Sequence, residues 1–232
     1  MKRFRGLLVV FLVLLLSGFV YAGEGKGDEA LQKLMDGNKR YADGSLAKKD
    51  VGQTRRTELS TKGQKPFAIV VACSDSRVPP EILFDQGLGD IFVIRVAGNV
   101  VDPIALGSIE YGAEHLHSPL LFILGHTKCG AVTATLEATG KAEGNIGAIV
   151  KEIMPAAKTA KKKGGTKEEM LETAIHENVK NVYKDIMKSS PIIAHLAEKG
   201  ELKIVGGEYD ITTGKVAMID LPAEKESKKK AH

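Results

Sequence analysis

The chain has 232 residues, of which 27% are charged and 43% hydrophobic, and its formal net charge is +4. Three of the positive residues, Lys2, Arg3 and Arg5, lie at the extreme N-terminus, which leaves the rest of the chain near neutrality. This balance lacks the basic excess that nucleic-acid binding requires. The length is compatible with one domain and a sizeable core.

The first residues, Met1–Ala22, have the pattern of a secretory signal peptide. The basic residues precede an apolar stretch from Gly6 to Val20, and Val20-Tyr21-Ala22 offers a small-residue cleavage site. The stretch is shorter than the roughly 18–20 residues of a spanning helix, and no cysteine lies near the cut. We expect a periplasmic or secreted domain, residues 23–232, with cleavage near Ala22 and no stable membrane anchor.

The first half of the predicted domain begins with an N-terminal helical arm at about 28–62. Its first helix is expected at Asp28–Tyr41, and the polar stretch Ala42–Lys65 has room for a second. The elements predicted next are strand Pro66–Ala72, a helical turn at Pro79–Phe84 and strand Ile91–Val96.

The second half continues the alternation of strands and helices. Asp102 and Pro103 predict the start of a helix that extends to His117. The other predicted elements are strand Leu120–Gly125, a helix from about Lys128, helices Gly144–Lys162, Lys167–Lys188 and Pro191–Glu198, strand Leu202–Gly206, a turn at Thr213-Gly214 and strand Lys215–Asp220, before a basic tail at about 224–232. This order predicts an α/β fold, with a central mainly parallel β-sheet flanked by helices.

Two polar clusters follow apolar strands, where open parallel sheets place their sites. Cys73-Ser74-Asp75-Ser76-Arg77 follows the first strand, and His126-Thr127-Lys128-Cys129 follows the third. Cys73, His126 and Cys129 provide three corners of a zinc tetrahedron and leave the fourth open, which is typical of a catalytic zinc site. We therefore predict one Zn²⁺ per chain.

A disulfide is the alternative interpretation of two cysteines in an exported protein. A Cys73–Cys129 bridge would leave His126, Asp75 and Arg77 without an explanation, and a core of this size does not need one. Bound zinc would also hold both sulfurs as thiolates and slow their oxidation. The residue types and spacing favour zinc.

Asp75 and Arg77 are the candidate catalytic pair. Asp75 lies two residues after the first ligand, so it can either occupy the fourth metal position in a closed form or accept a hydrogen bond from a metal-bound hydroxide. Arg77 can grip Asp75 as a bidentate ion pair and hold it off the metal. A simple loop ion pair is the plainer alternative.

Both clusters resemble the motifs of the β-class carbonic anhydrases, and the likeness extends from about Leu31 to Asp220. The resemblance implies zinc-dependent reversible hydration of carbon dioxide to bicarbonate and a proton, by attack of zinc-bound hydroxide on CO2. It also implies a homo-oligomer, either dimer or tetramer. The substrate-binding residues that it implies are Gln64, as a hydrogen-bond donor, with Phe92, Ala97 and Tyr111 in an apolar pocket.

Two other functions fit the same ligands. One is a related enzyme that acts on carbonyl sulfide or carbon disulfide, because access to the site rather than the ligand set decides which molecule enters. The other is a non-catalytic binding module with structural zinc. The presence of Asp75, Arg77 and Gln64 speaks against the module.

Overall fold

The computed structural model describes residues 25–140, 142 and 144–222. The predicted signal peptide and basic tail lie outside the described residues. Five strands form one sheet in the order β2-β1-β3-β4-β5, in which the first four are parallel and β5 is antiparallel to β4. The strands are β1 Ala68–Ala72, β2 Ile91–Arg95, β3 Leu120–His126, β4 Lys203–Tyr209 and β5 Val216–Ile219.

Helices precede the sheet and connect its strands. They are α1 Lys26–Ala42, α2 Gln53–Lys62, α3 Pro80–Leu83, α4 Pro103–Glu110, α5 Gly130–Glu137, α6 Ile146–Lys163, α7 Lys167–Ser189 and α8 Pro191–Glu198. A 3-10 turn at Ala97–Asn99 follows β2, and a π-helical turn at Tyr111–His115 follows α4. Within the described ranges, no helix combines the length and apolar character needed to cross a membrane.

Both faces of the sheet are buried, which explains the continuous apolar runs of the central strands. Every residue of β1 and β3 is buried, as expected for parallel strands covered on both sides. Leu34 of α1 packs on the face that contains Val70 and Phe122, and Val179 of α7 packs on the opposite face. The predicted mainly parallel α/β fold is confirmed.

Most predicted boundaries differ from the structure by one or two residues, and the helix from Pro103 and strand β4 differ by more. The helix from Pro103 is α-helical only to Glu110 and then widens into the π-helical turn, while the side chain of Asp102 caps its start at 2.8 Å from the Ala105 N–H. The helix expected from Lys128 begins at Gly130, because Lys128 has a left-handed backbone with φ 56°.

Strand β4 ends three residues later than predicted, because Gly206 and Gly207 belong to the strand and do not end it. A Cβ on Gly207 would lie 2.7 Å from the ring of Phe122, so glycine allows the close approach of β4 and β3. The extension pairs Tyr209 with His126 and brings the end of β4 beside the candidate ligand.

Candidate metal centre

The structure brings Cys73, His126 and Cys129 together at the carboxyl edge of the sheet. Cys73 directly follows β1, His126 is the last residue of β3, and Cys129 precedes α5. Strands β1 and β3 are parallel neighbours, so their ends meet. The three candidate ligand atoms lie within 4.8 Å of one another, and all three residues are buried.

The imidazole of His126 presents one nitrogen to this cluster. Its Nδ1 lies 2.9 Å from the carbonyl oxygen of Thr127, and this contact assigns the proton to Nδ1 because a carbonyl can only accept. Nε2 is buried and has no hydrogen-bond partner among the described residues. A buried lone pair beside two sulfurs fits a metal ligand, and an S-N-S donor set suits zinc.

The two sulfurs form a coupled pair, and neither is in a disulfide. A hydrogen bond from the Cys129 thiol lowers the pKa of Cys73, and so do the backbone N–H groups of Asp75 and Gly98, at 3.4 Å and 3.2 Å from Sγ. The pKa of Cys129 is raised, because its proton is shared with Cys73 and because the thiol is buried. The pair stabilises negative charge that a divalent cation would neutralise.

Asp75 and Arg77 form the bidentate ion pair that their spacing predicts. Nε of Arg77 donates to Oδ1 of Asp75 at 2.9 Å, and Nη2 donates to Oδ2 at 2.7 Å. These hydrogen bonds hold the pKa of Asp75 well below its usual range. Oδ2 lies 4.0 Å from Nε2 of His126, so the carboxylate faces the cluster from beside it.

Arg95 and Asn178 hold the backbone around the cluster in place through hydrogen bonds. The sequence did not predict this role for either residue. The guanidinium of Arg95 donates to the carbonyl oxygens of Cys73 and Asp75 at 3.0 Å and 2.6 Å. The buried amide of Asn178 donates at 2.8 Å to the carbonyl of Gly98, whose N–H reaches Cys73. A lone arginine and a mid-helix asparagine carry no motif that would have revealed them.

The four residues expected to bind substrate lie in four different segments of the chain. The rings of Phe92 and Tyr111 lie 6.1 Å apart beside edge strand β2, and Tyr111 is half exposed. Ala97 opens the 3-10 turn that carries Gly98. Gln64 is exposed in the loop between α2 and β1, and no hydrogen bond joins it to the cluster within the described part of the chain. The roles of these four residues stay predictions.

A Cys-His-Cys set with an adjacent carboxylate–arginine pair defines a candidate metal centre in an α/β protein. The family model for carbonic anhydrase matches residues 68–216, which contain this centre. A carbonic anhydrase of Mycolicibacterium smegmatis is 40% identical over 192 residues, covering 82% of this chain and 91% of the relative. Carbonic anhydrase 2 of Mycobacterium tuberculosis is 37% identical over 195 residues, covering 82% and 92%.

Solved structures agree with the sequence comparisons. The β-carbonic anhydrase CcaA has a TM-score of 0.67 at 25% identity, covering 86% of this chain and 94% of its own. One of two tetrameric β-carbonic anhydrases from Sordaria macrospora has a TM-score of 0.65 at 22% identity, with coverages of 82% and 97%. The chain belongs to the carbonic anhydrase family, and its fold is that of the β class.

Proposed function

We propose that this carbonic anhydrase hydrates CO2 reversibly to bicarbonate and a proton, and that it depends on one zinc ion per chain. The observation that supports the zinc dependence is the buried Cys73, His126 and Cys129 cluster, whose free Nε2 and paired sulfurs suit a cation. Family membership supports the reaction. The proposed mechanism depends on the three ligand residues and on the neighbouring Asp75 and Arg77.

Zinc at this site would supply Lewis acidity, which lowers the pKa of a coordinated water. The three ligand residues would hold the ion, and the two thiolates would balance its formal charge. Burial of all three residues restricts bulk water around the site, which strengthens electrostatic interactions there.

Asp75 is the residue that orients the attacking oxygen. Oδ1 accepts hydrogen bonds from the backbone N–H of Arg77 at 3.0 Å and from its Nε. Among the described residues, Oδ2 accepts only Nη2, and it faces the cluster. An ionised carboxylate can only accept, so Oδ2 would hold the O–H of the attacking group and direct a lone pair of its oxygen toward CO2. Arg77 keeps Asp75 ionised and fixed in place.

Removal of the metal tests the zinc dependence. Chelation should abolish CO2 hydration, and one equivalent of Zn²⁺ should restore it in proportion to the zinc bound. Full activity in protein shown to be free of metal would contradict the proposal. A parallel assay with carbonyl sulfide and carbon disulfide distinguishes the sulfur-substrate alternative, which requires turnover of those molecules by the same zinc-loaded sample.

Export and assembly are part of the proposal. The Met1–Ala22 pattern supports cleavage near Ala22 and a periplasmic or secreted enzyme, which N-terminal sequencing of protein from the expressing cells would test. A mature chain that still begins at Met1 would contradict export.

Tetrameric proteins of the same fold, and the exposed Ile104 and Tyr111, support a homodimer or homotetramer. Light scattering at working concentration would contradict this if it gave the monomer mass.

A further inference from the structure

We propose that Thr127 is a positioning residue for His126, and that its hydroxyl group anchors the ligand to the turn between β4 and β5. This turn, residues 210–215, is called the β4–β5 turn below. The inference rests on the proposed function, because it assumes that His126 binds zinc. Thr127 contributes no candidate ligand atom of its own, so its effect on the metal would be through the position of His126.

All three polar groups of Thr127 are committed. Its N–H donates to the carbonyl of Tyr209 at 3.0 Å, and its Oγ1 accepts the N–H of Ile211 at 3.1 Å. Its carbonyl accepts Nδ1 of His126 at 2.9 Å. The first contact fixes the backbone of Thr127 to β4, the second fixes its side chain to the turn, and the third transfers the position of the residue to the imidazole ring.

The β4–β5 turn is itself held at both ends. The carbonyl of Asp210 accepts the N–H of Gly214 at 2.9 Å, and the N–H of Asp210 donates to the carbonyl of Lys215 at 2.8 Å. The buried side chain of Asn38 in α1 donates to the carbonyl of Gly214 and accepts the N–H of Val216, at 2.9 Å and 2.8 Å. The hydroxyl of Thr127 thus meets a partner that cannot easily move away.

The consequence is a fixed ring orientation and a fixed tautomer. The Thr127 carbonyl holds the proton on Nδ1, so the Nε2 lone pair stays directed at the two sulfurs. Partners that orient a metal-bound histidine raise its affinity for the metal. Without the hydroxyl, Thr127 would keep only the contact of its N–H with Tyr209, and its carbonyl, which lies in the next peptide unit, would rotate more freely.

Competition with a chromophoric chelator for Zn²⁺ tests the hydroxyl. Thr127→Val keeps the side-chain shape and removes the acceptor, so its zinc affinity should fall about tenfold. Thr127→Ser keeps the hydroxyl and should match the wild type. Thr213→Val makes the same chemical change within the turn, away from His126, and should also match. If Thr127→Val fails to fold, Thr127→Ala removes the acceptor without a branched side chain and takes its place.

Nitrogen-15 NMR of zinc-free wild type tests the carbonyl contact. The His126 ring should carry its proton on Nδ1, and Thr127→Val should show a mixture of tautomers. An Nε2–H tautomer in the wild type would overturn the inference. Unchanged zinc affinity in Thr127→Val, or in Thr127→Ala where that variant takes its place, would overturn it too. A wild type that binds no zinc would instead refute the proposed function.

Discussion

Nη2 of Arg77 lies 2.7 Å from Oδ2 of Asp75. The same nitrogen is 3.3 Å from the carbonyl of Lys128, so a single guanidinium joins the loop after β1 to the loop after β3. Asp75 is thereby positioned relative to the candidate ligands that follow both strands. Catalysis should depend on this geometry as well as on the charge of Arg77.

Asp75→Asn should keep the metal and lose activity. The amide is close in shape but its nitrogen is a donor, so it cannot reliably accept a hydrogen bond from the attacking oxygen. We expect CO2 hydration to fall by about a hundredfold or more, with zinc content unchanged because Asp75 lies outside the three-residue cluster. Stopped-flow assays on metal-quantified protein check this, and retained activity would exclude the orienting role.

Arg77→Lys tests the two-point contact. A lysine ammonium preserves the charge but cannot donate along two parallel directions to one carboxylate. We expect a loss of about tenfold to a hundredfold in kcat/KM. Arg56→Lys is the matched control, because Arg56 is exposed and its guanidinium donates to local groups in and before α2. Equal activity in both variants would show that charge alone suffices.

Gly98→Ala should destabilise the fold. Gly98 has φ 69°, and a Cβ there would lie 2.5 Å from Cδ1 of the fully buried Ile153. Strain and overpacking together should lower the free energy of unfolding by about 1–3 kcal/mol. Urea denaturation measures this. Gly107→Ala is the control, since its Cβ would meet nothing within 4 Å and alanine favours a helix.

The pair of His176 and Glu208 predicts a stability that depends on pH. Nε2 of His176 lies 3.1 Å from Oε2 of Glu208, and this hydrogen bond raises the pKa of His176. Because the pKa of His176 is higher in the folded protein, the protonated histidine stabilises the fold, and this stabilisation is complete below the unfolded-state pKa of about 6.5. The stabilisation is lost as the pH rises through the folded-state pKa.

His176→Gln keeps a hydrogen-bonding amide without the charge. Its melting temperature should therefore fall further below the wild type at about pH 5.5 than at about pH 9. Thermal unfolding of both proteins at the two pH values measures the difference. A deficit that is equal at both would show that the charge of His176 contributes nothing.

The Cys73, His126 and Cys129 cluster could be predicted from sequence because it depends on local rules. Cys73 and His126 each follow an apolar strand, and parallel neighbours bring such residues to one edge of the sheet. The Asp75–Arg77 contact is also local, since it spans two residues.

The supporting contacts could not be predicted in the same way. Cys73 and Gly98 are 25 positions apart, and Asn178 is 80 positions from Gly98. Such contacts depend on how the helices pack, which periodicity does not encode. The π-helical turn at Tyr111–His115 was not predicted either, because its apolar pattern differs little from that of an α-helix.

We propose that Cys73, His126 and Cys129 hold a zinc ion that CO2 hydration requires. Stopped-flow CO2 hydration by the mature protein, with zinc quantified in the same sample and beside Cys73→Ser and His126→Ala, tests it most directly. We predict activity with about one zinc per chain in the wild type, and neither zinc nor activity in the variants. Stoichiometric zinc in the variants would contradict the ligand assignment, and a zinc-loaded wild type inert toward CO2 would contradict the proposed reaction.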